Sequence, residues 1–169
     1  ALDVLAGQRE VVDILPLLLY TVNRVTEELV NSTFRIYAIS FSSPKVSVVT
    51  GGNGTTPAKL ETTIDLPAAC QASALEASEF FQRIFIGCQN GLILKLNPYD
   101  HKIEGQLQLP NFGFLSDMLA ASENLYVVDH GTDGGVVIVD GREMKLLKTV
   151  KVGQGPVQIG DGGVEVVVT

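Results

Sequence analysis

Basic residues are in short supply. Twelve Lys and Arg stand against 19 Asp and Glu, a formal net charge of −7, and that balance argues against a phosphate backbone or an anionic lipid surface as partner, since both need a basic face. Nucleic acid is not an expected partner. Long apolar runs are missing too. The most apolar stretch, Ile14 to Tyr20, falls far short of the roughly 20 residues of a membrane-spanning helix and contains Pro16. Membrane insertion is not expected. Two cysteines and two distant histidines supply no paired spacing of the kind that holds zinc. The chain also lacks G-x-S-x-G, HExxH, a Ser-His-Asp order and a phosphate-cradling loop before a helix; no catalytic centre is signalled locally. An enzyme on this chain would have to assemble its residues from separate segments.

What is present is apolar substance and a repeat. Across 169 residues, 46% are hydrophobic, enough to bury one core and offset the entropy of ordering. One domain is expected. β-Branched and aromatic runs bounded by Gly, Asn and Asp recur in a fixed order. The first runs are "RIYAIS" (Arg35 to Ser40), "RIFIGC" (Arg83 to Cys88) and "NLYVVD" (Asn124 to Asp129). The second runs are "KVSVVT" (Lys45 to Thr50), "GLILKL" (Gly91 to Leu96) and "GVVIVD" (Gly135 to Asp140). The third runs are "LETTIDLP" (Leu60 to Pro67), "IEGQLQLP" (Ile103 to Pro110) and "LLKTVKVG" (Leu146 to Gly153). An aromatic position recurs at Tyr37, Phe85 and Tyr126, 48 and then 41 residues apart. Short strands at such a period predict the four-stranded blades of an all-β propeller. The missing innermost strands are expected at Leu18 to Val25, Cys70 to Leu75, Phe112 to Leu119 and Pro156 to Ile159. A short helix competes at the first of these, because Leu18, Val22, Val25 and Leu29 share a helical face, and again at Asp117 to Glu123.

Ala1 to Pro16 reads as the second and third runs of a blade with "AGQR" as the turn, and Gly155 to Thr169 as an innermost strand and a first run. The expected units are therefore a half blade over 1–17, blades over 18–67, 68–110 and 111–153, and a half blade over 154–169. Two strands, three sets of four and two more make sixteen, or about four blades. A start at Ala1 suits either a mature secreted chain or a fragment.

The stretch "LYVVDHGTDGGVVIVDGREMKLLKTVKVGQGP" resembles the YVTN-type repeat of β-propellers, whose units run Tyr-Val-x-Asn, a Gly-rich loop, Val-x-Val-Ile-Asp, and a strand ending in Val-Gly-x-x-Pro. The likeness is close over Asn124 to Pro156, good over 83–110, looser over 35–67 and partial at both ends; Asp129 stands where the family has Asn. It implies a propeller and leaves function open, because such blades serve surface-layer proteins, lactonase-like enzymes and electron-transfer subunits.

Candidate sites are few. Cys70 and Cys88 are equidistant from position 79, so a hairpin symmetric about it would face them within disulfide reach; two buried free thiols are the alternative. In "DHGTDGG", Asp129, His130 and Asp133 sit on a Gly-rich loop, where calcium is the cation such oxygens would suit and plain turn chemistry is the alternative. No other cofactor is expected. His101, in "NPYDHK", reads as a solvated turn residue. Asn31-Ser32-Thr33 and Asn53-Gly54-Thr55 are sequons, both expected in turns, and with the cysteines they point to an extracellular or cell-surface setting. Two functions follow as expectations. One is a non-catalytic structural, adhesive or self-assembling module that pairs its half blades with copies of itself, as rings or filaments, or binds other surface proteins. The other is a piece of a larger lactonase-like hydrolase or electron-transfer propeller.

Overall fold

The computed structural model describes residues 11–22, 29–50, 57–110, 112–131, 134–161 and 166–169. Every regular element in it is a strand. Three antiparallel sheets of four strands follow one another along the chain: β1 (Val11–Val22) to β4 (Lys59–Asp65) through β2 (Leu29–Ser40) and β3 (Ser43–Thr50); β5 (Ala72–Ser78) to β8 (Ile103–Gln108) through β6 (Arg83–Cys88) and β7 (Leu92–Leu96); and β9 (Leu115–Ala121) to β12 (Lys145–Lys151) through β10 (Asn124–Asp129) and β11 (Gly135–Asp140). A fourth sheet consists of β13 (Ile159–Asp161) and β14 (Val166–Val168). The first strand of each sheet touches the first strand of the next, β1 against β5, β5 against β9, and β9 against β13. The sheets are thus blades ranged around a common axis, a β-propeller arrangement.

The core lies between blades. Tyr37, Ile39, Val46, Val48, Ile64 and Leu66 of blade 1 form one apolar cluster with Ala72, Leu75, Ile84, Ile86, Leu94 and Leu96 of blade 2. Phe85 and Ile93, on the opposite face of blade 2, join Leu115, Leu125, Val127, Val137 and Val139 of blade 3. Middle strands are therefore covered on both faces, and burying each Ile, Leu or Phe contributes roughly 1.5–3 kcal/mol. This two-sided burial is why "RIFIGC" and "GVVIVD" read as continuous apolar runs instead of alternating ones.

Inner strands need a different solution, since one edge faces the axis. Side chains of the preceding blade satisfy it: Glu76 Oε1 accepts from Ala120 N (2.8 Å), Asp117 Oδ2 accepts from Ile159 N (3.0 Å), and Ser73 Oγ donates to the Leu115 carbonyl (2.5 Å). Unpaired backbone groups at a buried edge would each cost about 1–3 kcal/mol.

Several expectations change. Val11 to Pro16 does not belong to a half blade over 1–17; these residues open β1, which pairs with β2 from Val11↔Ser40 to Val22↔Leu29. Pro16 lacks an N–H, which an inner strand with one open edge tolerates. Blade 1 accordingly begins before residue 18, and the described residues hold fourteen strands, three full blades and a two-stranded sheet. The helix at Leu18 to Leu29 gives way to β1 and β2 on its described residues, and 23–28 lie outside them. Asp117 to Glu123 is the end of β9 and a turn in which Ser122 takes φ 53°. Strand pairing overrides the local helical periodicity in both places.

Candidate functional site

At one end of the blades lie the β2–β3, β6–β7 and β10–β11 turns, together with the segments leading into β5, β9 and β13. Asp129, the last residue of β10, is buried there, and its Oδ1 accepts from Gly113 N (3.2 Å) and Gly131 N (3.0 Å). The carboxylate thus staples the approach to β9 onto the β10–β11 turn. His130 Nδ1 donates to the Pro156 carbonyl (3.0 Å), which ties the β10–β11 turn to the segment leading into β13. Its edge meets Phe114, which in turn packs on Phe41 of blade 1, at ring distances of 6.3 and 6.0 Å. Asp133 lies outside the described residues. Among the described residues no three His, Cys, Asp or Glu side chains gather where they could hold a metal. Beyond His130, Gly153 and Gly155 take φ 136° and 63°, conformations that explain the glycines of "VGQGP".

The opposite end holds a polar seam that local motif reading passes over. Each outer strand carries one bulged residue, Glu61, Glu104 or Leu147, at the register shift against β3, β7 or β11. A bulge re-aims its side chain. Glu61 meets Arg35 at the head of the first-run match "RIYAIS", with Nε to Oε2 at 2.7 Å and Nη2 to Oε1 at 2.6 Å; Arg83 and Glu104 repeat the pair at 2.6 and 3.3 Å. Hydrogen bonds from the guanidinium hold both carboxyls below the usual range. In blade 3 both partners are absent, with Asn124 and an exposed Leu147 at the matching positions. Aligning the repeats would have revealed this, because Arg and Glu vanish together. The double variant Asn124→Arg with Leu147→Glu is expected to raise stability by about 0.5–1 kcal/mol, the range of a partly exposed ion pair; urea unfolding of the double and single variants measures it.

The seam reaches from blade 1 into blade 2. Arg35 Nη1 (2.9 Å) and Tyr37 Oη (3.1 Å) both donate to the Pro98 carbonyl in the β7–β8 turn. Lys95 Nζ binds the Gly141 and Arg142 carbonyls (3.3 and 2.6 Å) in the matching turn of blade 3. Burial pushes the Tyr37 phenol up to about 12, so its share of stability is present below pH 10 and lost as pH rises through that value. His101 does sit in a turn, but not as a solvated residue. It takes φ 59°, its ring lies edge-on to Tyr37 at 6.3 Å, and its Nε2 is buried without a hydrogen-bond partner among the described residues.

The remaining candidate residues separate. Cys70 and Cys88 are joined by a disulfide with a Cα–Cα distance of 5.1 Å. They are not cross-strand partners: the turn falls at 79–82, Ala72 stands opposite Cys88, and a bulge between Ala72 and Ala74 lets Cys70 reach round from before β5. Asn31 is in β2 opposite Thr21, not in a turn, and Asn53 lies outside the described residues. A shallow cavity of about 680 Å³ opens between the β5–β6 and β9–β10 turns, lined by Ser78, Glu79, Phe80 and Ser122 among others.

No protein-family model matches the sequence. No curated protein matches it. Among solved structures, the chain is similar to apo AztD from Citrobacter koseri, with a TM-score of 0.59 at 11% identity over 80% of this chain and 34% of that one. It is similar to the dihydro-heme d1 dehydrogenase NirN in complex with DHE, with a TM-score of 0.61 at 11% identity over 80% of this chain and 33% of that one. It is also similar to the putative 6-phosphogluconolactonase from Bacteroides uniformis, with a TM-score of 0.65 at 12% identity over 88% of this chain and 45% of that one. These neighbours are β-propeller proteins, and at such identities the likeness concerns the fold alone. The chain spans about a third of the length of the first two and under half of the third.

Proposed function

We propose that this chain is a non-catalytic β-propeller module of the YVTN type, working outside the cell as a structural, adhesive or self-assembling surface element. Its partners are further copies of itself or other surface proteins. The observation that carries this reading is an uncovered blade face. Ile64 and Leu66 of blade 1 are 8% and 6% exposed beneath blade 2, and Leu109 of blade 2 is 2% exposed beneath blade 3. The matching residues of blade 3, Val150 and Val152, are 37% and 44% exposed among the described residues. Within this repeat, the cover for those positions is a neighbouring blade. Exposed apolar residues on a blade face suit packing by a blade of a partner chain. The Cys70–Cys88 bond and the two sequons support a secretory setting. The YVTN assignment is supported by β10 and β11 falling on its two strand motifs and by the left-handed glycine of its Val-Gly-x-x-Pro turn.

Light scattering on a sizing column with negative-stain images of the same sample tests the reading. The expected result is rings or filaments well above the 18.1 kDa of one chain, dispersed by the pair Val150→Lys and Val152→Lys. A monodisperse monomer that binds no further copy overturns self-assembly. The likeness to the Bacteroides uniformis protein favours a second reading, part of a lactonase-like hydrolase. Opening of a sugar δ-lactone faster than in buffer would support the hydrolase.

A further inference from the structure

His101 is held in an environment that suits a neutral ring and not a charged one. Three observations converge on it. Its Nε2 is buried and has no hydrogen-bond partner among the described residues. Its ring edge lies against Tyr37 of the neighbouring blade, whose hydroxyl donates to Pro98 three residues upstream in the same turn. Its backbone is left-handed at φ 59°, a conformation that His and Asn adopt more readily than most side chains, which fixes the ring's place in the turn. The turn itself is closed by His101 N to the Asn97 carbonyl and Asn97 N to the Lys102 carbonyl, both at 2.9 Å.

The charged groups around the ring decide what a proton would do. From blade 1 come Arg35 and Glu61, with Tyr37 uncharged between them and Lys59 beside Glu61; from the turn itself come Tyr99, Asp100 and Lys102. Glu61 already binds Arg35 through both of its oxygens, and Asp100 faces Lys102 at 3.1 Å. An imidazolium would bury an N–H without an acceptor and stand beside the Arg35 guanidinium. Relief requires either drawing Glu61 off Arg35 or moving the turn away from blade 1. Moving the turn breaks the bonds of Arg35 Nη1 and Tyr37 Oη to the single Pro98 carbonyl, and drawing Glu61 off removes the carboxylate that orients the Arg35 guanidinium toward it.

We infer that His101 is a proton-sensitive latch: neutral, it lets the β7–β8 turn of blade 2 dock on blade 1, and protonated, it releases the turn. Burial, followed by the charge of Arg35, lowers the affinity of this ring for a proton from the ordinary histidine value of 6.5. The sign follows from linkage: the latch contributes fully above pH 6.5 and is lost as pH falls through the lower folded-state value. Glu61 does not confuse that window, since its own pKa is lowered from 4.5. The latch would make an extracellular propeller loosen at one chosen seam on acidification.

The test compares the chain with His101→Asn, which keeps a residue tolerant of left-handed backbone and removes the titration. Hydrogen-exchange protection of the Asn97 and His101 amides is followed between pH 7.5 and 5, with the Gly141 amide of blade 3, bound to the Glu123 carbonyl at 3.0 Å, as an internal reference. The expected result is a tenfold or greater loss of turn protection relative to Gly141 in the parent chain and no such loss at position 97 in His101→Asn. The melting temperature of the parent should also fall by about 3 °C more than that of the variant, as a modest free-energy change in a chain this size implies. Equal acid sensitivity of the two proteins would overturn the inference. So would NMR ring signals of His101 titrating at or above 6.5.

Discussion

Phe85→Ala is expected to destabilise the chain by about 3–5 kcal/mol, the cost of emptying a fully buried aromatic site. Phe85 has no exposed surface and packs with Ile93, Leu109, Leu115 and Met118 between blades 2 and 3, with the Phe81 ring edge-on at 6.3 Å. Sheets on both sides fix the walls, so little collapse into the cavity is available. A loss of this size is a large share of the roughly 5–15 kcal/mol that holds a domain folded. The repeat supplies a control. Tyr126 stands at the same point of blade 3 but is only partly buried, packed beside Val128, Val136 and Ile159 against the two-stranded sheet. Tyr126→Ala should therefore cost less than half as much. Urea unfolding of both variants decides it, and equal losses would mean that blade 3 is covered in solution by something beyond the described strands.

The same contrast explains what the sequence could reveal. "RIFIGC" and "NLYVVD" mark β6 and β10 to the residue, because a middle strand buried on both faces must be apolar throughout. Inner strands are weakly patterned, since one edge meets the axis and their neighbours supply Glu76, Asp117 and Ser73 as partners; the readings at Cys70 and Phe112 start two and three residues before β5 and β9. The N-terminal phase fails for a related reason. "EVVDILP" carries the composition of an outer strand, and only its pairing with β2 shows that it belongs to blade 1. Among candidate sites, Cys70 and Cys88 are joined although the symmetric hairpin behind that expectation is not present; a bulge in β5 makes up the offset. Asp129 and His130 each bind a backbone group, at Gly131 and Pro156, and Asp133 lies outside the described residues. The Arg35–Glu61 pair was missed because 26 residues separate the partners and only the bulge at Glu61 turns one toward the other.

Breaking the disulfide is the second large effect. The bond closes a loop of 18 residues' separation, and a cross-link of that span removes unfolded-state freedom worth about 3 kcal/mol. Both cysteines are fully buried in the cluster between blades 1 and 2, beside Leu66, Ala72 and Ile86, so the bond also pins the crossing from β4 to β5 against the end of β6. Cys70→Ala with Cys88→Ala should lower the unfolding free energy by about that amount, slightly more where the lost sulfurs leave a gap. Dithiothreitol should bring the parent chain down to the level of the double variant and leave the variant unmoved. A denatured, unreduced sample should show no free thiol. Thiols that titrate freely in that sample, with stability indifferent to reductant, would mean that the two cysteines pack as small hydrophobes, and the secretory setting proposed for this propeller would lose its main support.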